Sequence, residues 1–166
     1  DELSLQLYSE NIKNVTAPSI LIAGCGTGQH SIATASRFSD CRTTAIDLSL
    51  ASLAYAKRKS DELGITNLDY LQADILQLNH LDKEFDIIES AGVLHHMDDP
   101  IAGWRVLVNL LKPGGLLKIG LYSELARQHI VEVRKEIASL GLGTSATEIR
   151  KFRQSLMKSH NKNHQR

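Results

Sequence analysis

Ile20-Leu21-Ile22-Ala23-Gly24-Cys25-Gly26-Thr27-Gly28 is an apolar run without polar alternation that breaks into three glycines at every second position. Such a run reads as a strand covered on both faces, and the helix-like stretch after Gly28 makes the segment a strand, a glycine turn and a helix start. Glycines at 24, 26 and 28 permit positive φ angles and remove the Cβ atoms that would hold a ligand off the main chain. The unpaired N–H groups at the start of the helix favour an anion, either a phosphate or a carboxylate. The dinucleotide fingerprint G-x-G-x-x-G requires a glycine at position 29, where this chain has Gln29. A turn that only links strand to helix is the plainer alternative.

Outward from this segment the pattern alternates. Residues 1 to 17 place Leu3, Leu5, Leu7, Ile12 and Val15 among polar residues, which predicts a helix ended by Pro18. The first strand is 19–23, followed by a helix from His30 to Phe38 whose small residues Ala33, Ala35 and Ser36 suit close packing. Thr43 to Ile46 reads as a second strand closing on Asp47. Ser49 caps the next helix, with Leu50, Leu53 and Ala54 on one face and a stop at Gly64. Leu68 to Ala73 is a third strand ending in Asp74, residues 76 to 84 a loop, and Phe85 to Glu89 a fourth strand. Asp98-Asp99-Pro100 marks a helix start, after which Ile101, Trp104, Val108 and Leu111 form a stripe expected in the core. Lys112-Pro113-Gly114-Gly115 should stop that helix and lead into a fifth strand, Leu116 to Leu121.

Beyond Tyr122 only helical patterns follow. Ser123 can cap a helix striped by Ile130, Val133, Ile137 and Leu140 that stops at Gly141 or Gly143. A capping box, Ser145 with Glu148, opens a last helix with Ile149, Phe152 and Leu156 inward and Arg150, Lys151, Arg153 and Lys158 outward. Residues 159–166 are polar and expected to fray. Strands alternating with helices imply a parallel, doubly wound α/β sheet with right-handed crossovers.

The chain has 166 residues, enough for one domain with a sizeable core. Its net charge is zero, so no global attraction to nucleic acid or membrane is implied. From Glu148 onward, six Lys or Arg against one acid make the tail +5 and the remainder −5; a solvated helix face is the simplest account of those charges. Cys25 and Cys41 lack C-x-x-C spacing, which argues against a disulfide framework or zinc site and for a reducing, cytoplasmic setting. No apolar run approaches about 18 residues and no signal sequence opens the chain. A start at Asp1 suggests a fragment of a longer protein.

In an open parallel sheet ligands bind beyond the carboxyl ends of the strands, so residues at strand ends carry the information. Asp47 follows Gly28 by 19 positions, where a carboxylate can accept both hydroxyls of a ribose; a helix cap is the alternative. Asp74, in Gln72-Ala73-Asp74-Ile75, can pair with the amine edge of adenine, although an Asp after a strand is also a common turn residue. Glu89 is a lone charge on an apolar central strand; unpaired it would be costly, so it should find a partner at the strand end, a ligand amine being one candidate.

Taken together, residues 19–122 resemble the class I S-adenosylmethionine-dependent methyltransferases. IAGCGTGQH resembles their first motif, AIDLS the acidic second-strand segment, QADI the adenine segment, FDIIESAGVLHHMDDP the fourth-strand segment and LLKPGGLLKIGLYS the fifth. The histidine-pair wording is similar to the small-molecule group, and Leu-Tyr-Ser-Glu-Leu-Ala-Arg-Gln-His to bacterial methyltransferase domains appended to tetratricopeptide repeats, so an attached repeat array is one expectation. The resemblance implies that Gly24, Cys25, Gly26 and Gly28 hold the methionine part of S-adenosyl-L-methionine, Asp47 the ribose, and Asp74 with Ile75 the adenine, on which Leu48 packs. It places Ser90 and Ala91 by the methionine amino group and the sulfonium. The product would be S-adenosyl-L-homocysteine.

The fold expected is therefore a Rossmann-like sheet of five strands in the order 3-2-1-4-5. A helical segment 1–18 precedes the core 19–122, and another, 123–166, follows. The family's usual sixth and seventh strands have no strand pattern here after Leu121: either the fragment stops before them or helices replace them, and it is that region which commonly shapes the acceptor pocket in the family. Transfer of an activated methyl needs no obligatory catalytic side chain. If a base is needed, the candidates are His95, His96 and Asp98, or Tyr122, Glu124 and His129. No metal is expected. A nucleotide-binding regulatory module without turnover and a nicotinamide-dependent oxidoreductase are the alternatives, the latter disfavoured by Gln29.

Overall fold

The computed structural model describes residues 15–123 and 125–159, in two compact units that divide after Leu121. The first unit carries strands β1 (Ser19–Ala23), β2 (Arg42–Asp47), β3 (Leu68–Gln72), β4 (Phe85–Ala91) and β5 (Leu111–Gly120). All pair in parallel, in the order β3-β2-β1-β4-β5. Helices α1 (Gln29–Arg37), α2 (Leu50–Glu62) and α3 (Pro100–Asn109) and a 3-10 helix, Ile75–His80, lie in the connections. β1 sits at the centre with β2 on one side and β4 on the other, so strand order reverses there. That reversal opens a crevice beyond the strands' carboxyl ends.

The unalternating run of β1 has a direct cause. Leu21 and Ala23 pack into a core with Ile46, Ile88, Leu94 and Leu107, while Ile20 and Ile22 pack into another with Ala35, Ala45, Leu53 and Leu68. With both faces covered, every residue from Ile20 to Ala23 is at most 3% exposed. Full burial of each large side chain is worth about 1.5–3 kcal/mol, so β1 is the strand the two cores share.

Several helix faces differ from the sequence expectation. α1 buries Ser31, Thr34 and Ala35, leaving Ala33 and Ser36 outside. α2 buries Leu53, Ala56 and Ser60, and Leu50 and Ala54 face out. α3 is rotated furthest from expectation: it buries Gly103, Val106 and Leu107, whereas Ile101, Trp104 and Val108 are 51%, 38% and 47% exposed. The stripe expected in the core is on the outside, because α3 is apolar on nearly every side and its periodicity does not single out one face.

The fifth strand also starts earlier than expected. Lys112-Pro113-Gly114-Gly115 does not separate helix from strand but forms an irregularity inside β5: Phe85 pairs with Leu111 and Ile87 with Leu116, two steps on β4 against five on β5. Gly114, at φ +80°, makes the bend, and Pro113 is tolerated because β5 lies at the sheet edge. β4 continues past Glu89 to Ala91, held by β5 through the pairs Ser90 with Ile119 and Ala91 with Gly120. The loop foreseen over 76–84 is largely the 3-10 helix.

The second unit holds a short 3-10 turn, Leu125–Arg127, then α4 (Gln128–Ser139) and α5 (Ala146–Lys158). Ser123 accepts from the Ala126 N–H and so caps the short turn, not α4 itself. The capping box of Ser145 and Glu148 is present, and α4 ends at Gly141, φ +60°. The helix expected over 1–17 and the frayed end lie mostly outside the described residues. Among the described residues no helix is long and apolar enough to cross a membrane.

At the end of the sheet remote from the crevice, Asp86 ties three strands together. Its Oδ2 accepts from the Ser19 N–H at 2.8 Å, the Ser19 hydroxyl at 2.8 Å and Lys112 Nζ at 2.8 Å. Burial pushes this carboxyl up, but the bonds from Lys112 and Ser19, with the Lys112 charge, outweigh it and hold the group below its ordinary value of 3.8. A depressed folded pKa contributes stability that is present above the unfolded value and lost as pH falls through the folded one. Asp86→Asn should therefore lower stability by about 1–3 kcal/mol in urea unfolding at pH 7. The gap to the wild type should narrow below about pH 4; a gap that stays constant down to pH 2.5 would show that the charge of Asp86 contributes nothing.

Candidate functional site

The crevice is built from four chain turns that meet at the carboxyl ends of β1, β2, β3 and β4. A cleft of about 670 Å³ is lined there by Gly24 and Gly26, by Ile46, Asp47 and Leu48, by Ala73 to Leu76, by Ala91 to Val93, and by His96 to Asp99. Seven of the ten residues named from the sequence as donor contacts line this cleft: Gly24, Gly26, Asp47, Leu48, Asp74, Ile75 and Ala91. The other three do not. Cys25 turns into the core at 8% exposure, Gly28 is covered by α2, and Ser90 is 1% exposed with its side chain inside the sheet's packing.

The glycine turn is held by its own backbone and by Asp47. The N–H groups of Gly24 and Cys25 both donate to the Ile46 carbonyl at 2.9 Å, and Gly28 N–H donates to the Cys25 carbonyl at 3.0 Å. Asp47 Oδ2 accepts from Gly26 N–H at 2.7 Å and its Oδ1 from Ser49 N–H at 2.9 Å. One carboxylate thus fixes the β1 turn and the entry to α2. Gly24 has φ +82°, and a Cβ there would lie 2.3 Å from a Val93 methyl; Gly28 has φ +87° with Ala56 Cβ 2.5 Å from the corresponding position. Gly26, at φ +52°, has open space where its side chain would be. The outer two glycines are set by packing, and the middle one leaves room in the cleft.

Asp74 serves the adjacent turn. Its Oδ1 accepts from Leu76 N–H at 2.9 Å and caps the 3-10 helix, which leaves Oδ2 available on the cleft wall. Asp99 caps α3 by accepting from Ile101 and Ala102 N–H, each at 3.0 Å. Leu48, 67% exposed, and the neighbouring Ile75 supply the apolar lining between the two aspartates.

Of the proposed bases, His96 and Asp98 line the cleft, whereas the ring nitrogens of His95 are buried beneath it; the two rings are 4.1 Å apart. Tyr122 and His129 belong to the second unit, where Arg127 stacks over the Tyr122 ring at 3.8 Å, and Glu124 is outside the described residues. Among the described residues no group of three or more His, Cys, Asp and Glu side chains could hold a metal. Burial, then the Asp47 charge, pushes the Cys25 thiol up to about 11, so at neutral pH it is no nucleophile.

Two joints of the site were not foreseen. Val93 seats against Gly24, joining the wall made by the β4 turn to the glycine turn. Glu89, whose need for a partner was legible, meets His30 on α1 and Lys118 on β5. Glu89 and His30 lie 59 positions apart, and nothing local in the sequence pairs them.

A family model described as a methyltransferase domain matches residues 20–115. An uncharacterised protein of Synechococcus is 38% identical over 124 residues, covering 74% of this chain and 30% of its own. A probable (S)-tetrahydroprotoberberine N-methyltransferase of Papaver bracteatum is 31% identical, covering 58% of this chain and 27% of its own. The chain thus spans under a third of either curated relative. Among solved structures, an S-adenosylmethionine-dependent methyltransferase from Clostridium acetobutylicum superposes with a TM-score of 0.58 at 26% identity, over 71% of this chain and 48% of that one.

The glycine geometry gives a graded expectation. Gly24→Ala should lower the thermal midpoint well below that of Gly26→Ala. Both incur left-handed backbone strain of about 1–2 kcal/mol, but only the first also collides with Val93. Val93→Ala placed on Gly24→Ala should recover part of the loss. Equal midpoints for the two single variants would show that the Val93 joint is not close-packed.

Proposed function

This chain belongs to the methyltransferase-domain family, and we propose that its cleft binds S-adenosylmethionine and that the full-length protein transfers the donor's methyl group to a small-molecule acceptor. The observation that carries this reading is the placement of Asp47 and Asp74 on one cleft wall, with the bare glycine backbone at one end and the β4 turn at the other. A volume of about 670 Å³ lies within the usual range for a small-molecule site. The residues suit the donor part by part. Asp47 suits the ribose hydroxyls, since each of its oxygens carries a second lone pair beyond the backbone bond it accepts. Asp74 Oδ2 suits the adenine amine, and Leu48 and Ile75 its ring faces. Gly24 and Gly26 leave backbone access for the methionine portion, with Ala91 beside the sulfonium.

A sulfonium methyl is already activated when it arrives. The protein's part is alignment and exclusion of water, which can account for several kcal/mol of rate without a covalent step. His96 and Asp98 at the rim are the described base candidates within the cleft lining. This reading keeps a cytoplasmic setting and an attached tetratricopeptide array as features of the longer protein. A nicotinamide dinucleotide is disfavoured, because Gln29 stands where its fingerprint needs glycine.

Asp47→Asn keeps the side chain's shape but replaces one acceptor oxygen with a donor. It should weaken S-adenosylhomocysteine binding in calorimetric titration by about 1–3 kcal/mol. Unaltered affinity would remove Asp47 from the ribose site.

A further inference from the structure

Taken by itself, the second unit buries none of its described residues. α4 has 12 residues and α5 has 13, and neither carries a buried side chain. Helices of this length are marginal in water unless an apolar face is packed against something. Both have such a face: Ile130, Val133 and Ile137 recur at helical spacing on α4, as do Ile149, Phe152 and Leu156 on α5. Between the two helices runs an open groove of about 200 Å³, lined by Val133 and Ile137 from α4 and by Ile149, Phe152 and Leu156 from α5. Ile149 is 54% exposed, so the apolar lining reaches the surface uncovered.

The charges beside this groove are of one sign. Arg134 follows Val133 and Arg153 follows Phe152, so each cation stands about 100° of helix rotation from a groove residue, on the flank of its stripe. Arg153 itself lines the groove. Among the described residues neither arginine has an ion-pair partner, and the same holds for Arg150, Lys151 and Lys158. Two acids nearby are already taken: Glu132 pairs with Lys135 at 2.9 Å, and Glu148 accepts from the Gly143 N–H and from Ser145 in the capping box. α5 as a whole sets four bases against that one acid. A second copy laid face to face would bring Arg134 and Arg153 of both chains together, a like-charge contact that costs affinity. A bilayer suits an apolar face that projects, whereas these side chains line a groove between two helices.

We propose that the α4–α5 groove is a docking site for an acidic amphipathic helix of a partner protein. A third helix laid along the groove places apolar side chains at i, i+3, i+4 and i+7 against both stripes. Its flanking carboxylates meet Arg134 and Arg153, whose guanidinium groups suit paired hydrogen bonds to a carboxylate. α4 spans about 18 Å, so a partner helix of about three turns covers it end to end. The remaining bases of α5 lie within a Debye length, about 8 Å at physiological salt, of such a helix and add to its attraction. The inference stands apart from the donor cleft and from the reaction proposed there.

The probe is a synthetic peptide of about 14 residues with leucine at the i, i+3, i+4, i+7 positions and glutamate on the flanks, compared with a twin that carries lysine for glutamate. Fluorescence anisotropy on the 166-residue protein should show the glutamate peptide bound and the lysine peptide bound about tenfold more weakly or not at all. Arg134→Glu combined with Arg153→Glu, with helix content by circular dichroism unchanged, should invert that preference. Equal binding of the two peptides, binding of neither, or a preference that survives the double variant would overturn the proposal. So would sedimentation of the protein as a dimer that Phe152→Ala dissociates, which would put a second copy in the groove. Tighter binding to phosphatidylserine vesicles than to the glutamate peptide would make a membrane the occupant and overturn it as well. If the full-length protein refuses a peptide that residues 1–166 bind, the groove is filled from within the longer chain and the partner protein is excluded.

Discussion

The pair of hydrogen bonds accepted by the Asp47 carboxylate is the interaction on which the site depends. One oxygen takes the Gly26 N–H at 2.7 Å and the other the Ser49 N–H at 2.9 Å. Three glycines with positive φ would otherwise be free to sample many turns, since glycine loses more conformational freedom on ordering than any other residue. A charged acceptor at the end of the neighbouring strand selects one of them. The same group also sets the entry of α2, whose own cap is Ser49. Under the proposed reading the same side chain would also receive the donor's sugar, which would meet a carboxylate already fixed in place.

That arrangement follows from the strand order. Because β1 lies between β2 and β4, the turns after these strands diverge and leave a crevice, with the glycine turn as its floor. The walls are joined where packing is closest: Val93 against the bare Cα of Gly24 near the cleft, and His30 with Glu89 on the α1 side. Asp86 performs the corresponding task at the opposite end of the sheet, where Ser19 and Lys112 converge on it. The cleft is thus shaped at its mouth and braced at its base by carboxylates at strand ends.

Much of this was legible in the chain itself. Five strands and the helices between them followed from apolar runs, glycines and caps; Asp99 before Pro100 and the Ser145–Glu148 box marked helix starts because those side chains answer local backbone donors. Asp47 and Asp74 could be placed at strand ends because a strand fixes where its last residue points. What failed was facing and partnership. α3 is apolar at Ile101, Trp104 and Val108 as well as at Val106 and Leu107, so its pattern allows more than one orientation and only the packed sheet chooses between them. Cys25 and Ser90 lie at the right strand ends, yet their side chains alternate inward, away from the cleft. The His30–Glu89 contact spans two crossovers, and no local rule reaches that far.

The most direct measurement is a crystal structure of the protein soaked with S-adenosylhomocysteine. The account requires the product to span the crevice, with both ribose hydroxyls within hydrogen-bonding distance of Asp47, the adenine amine at Asp74 and the sulfur beside Ala91. Density for the product at any other surface, or a crevice that stays closed at saturating ligand, would contradict it.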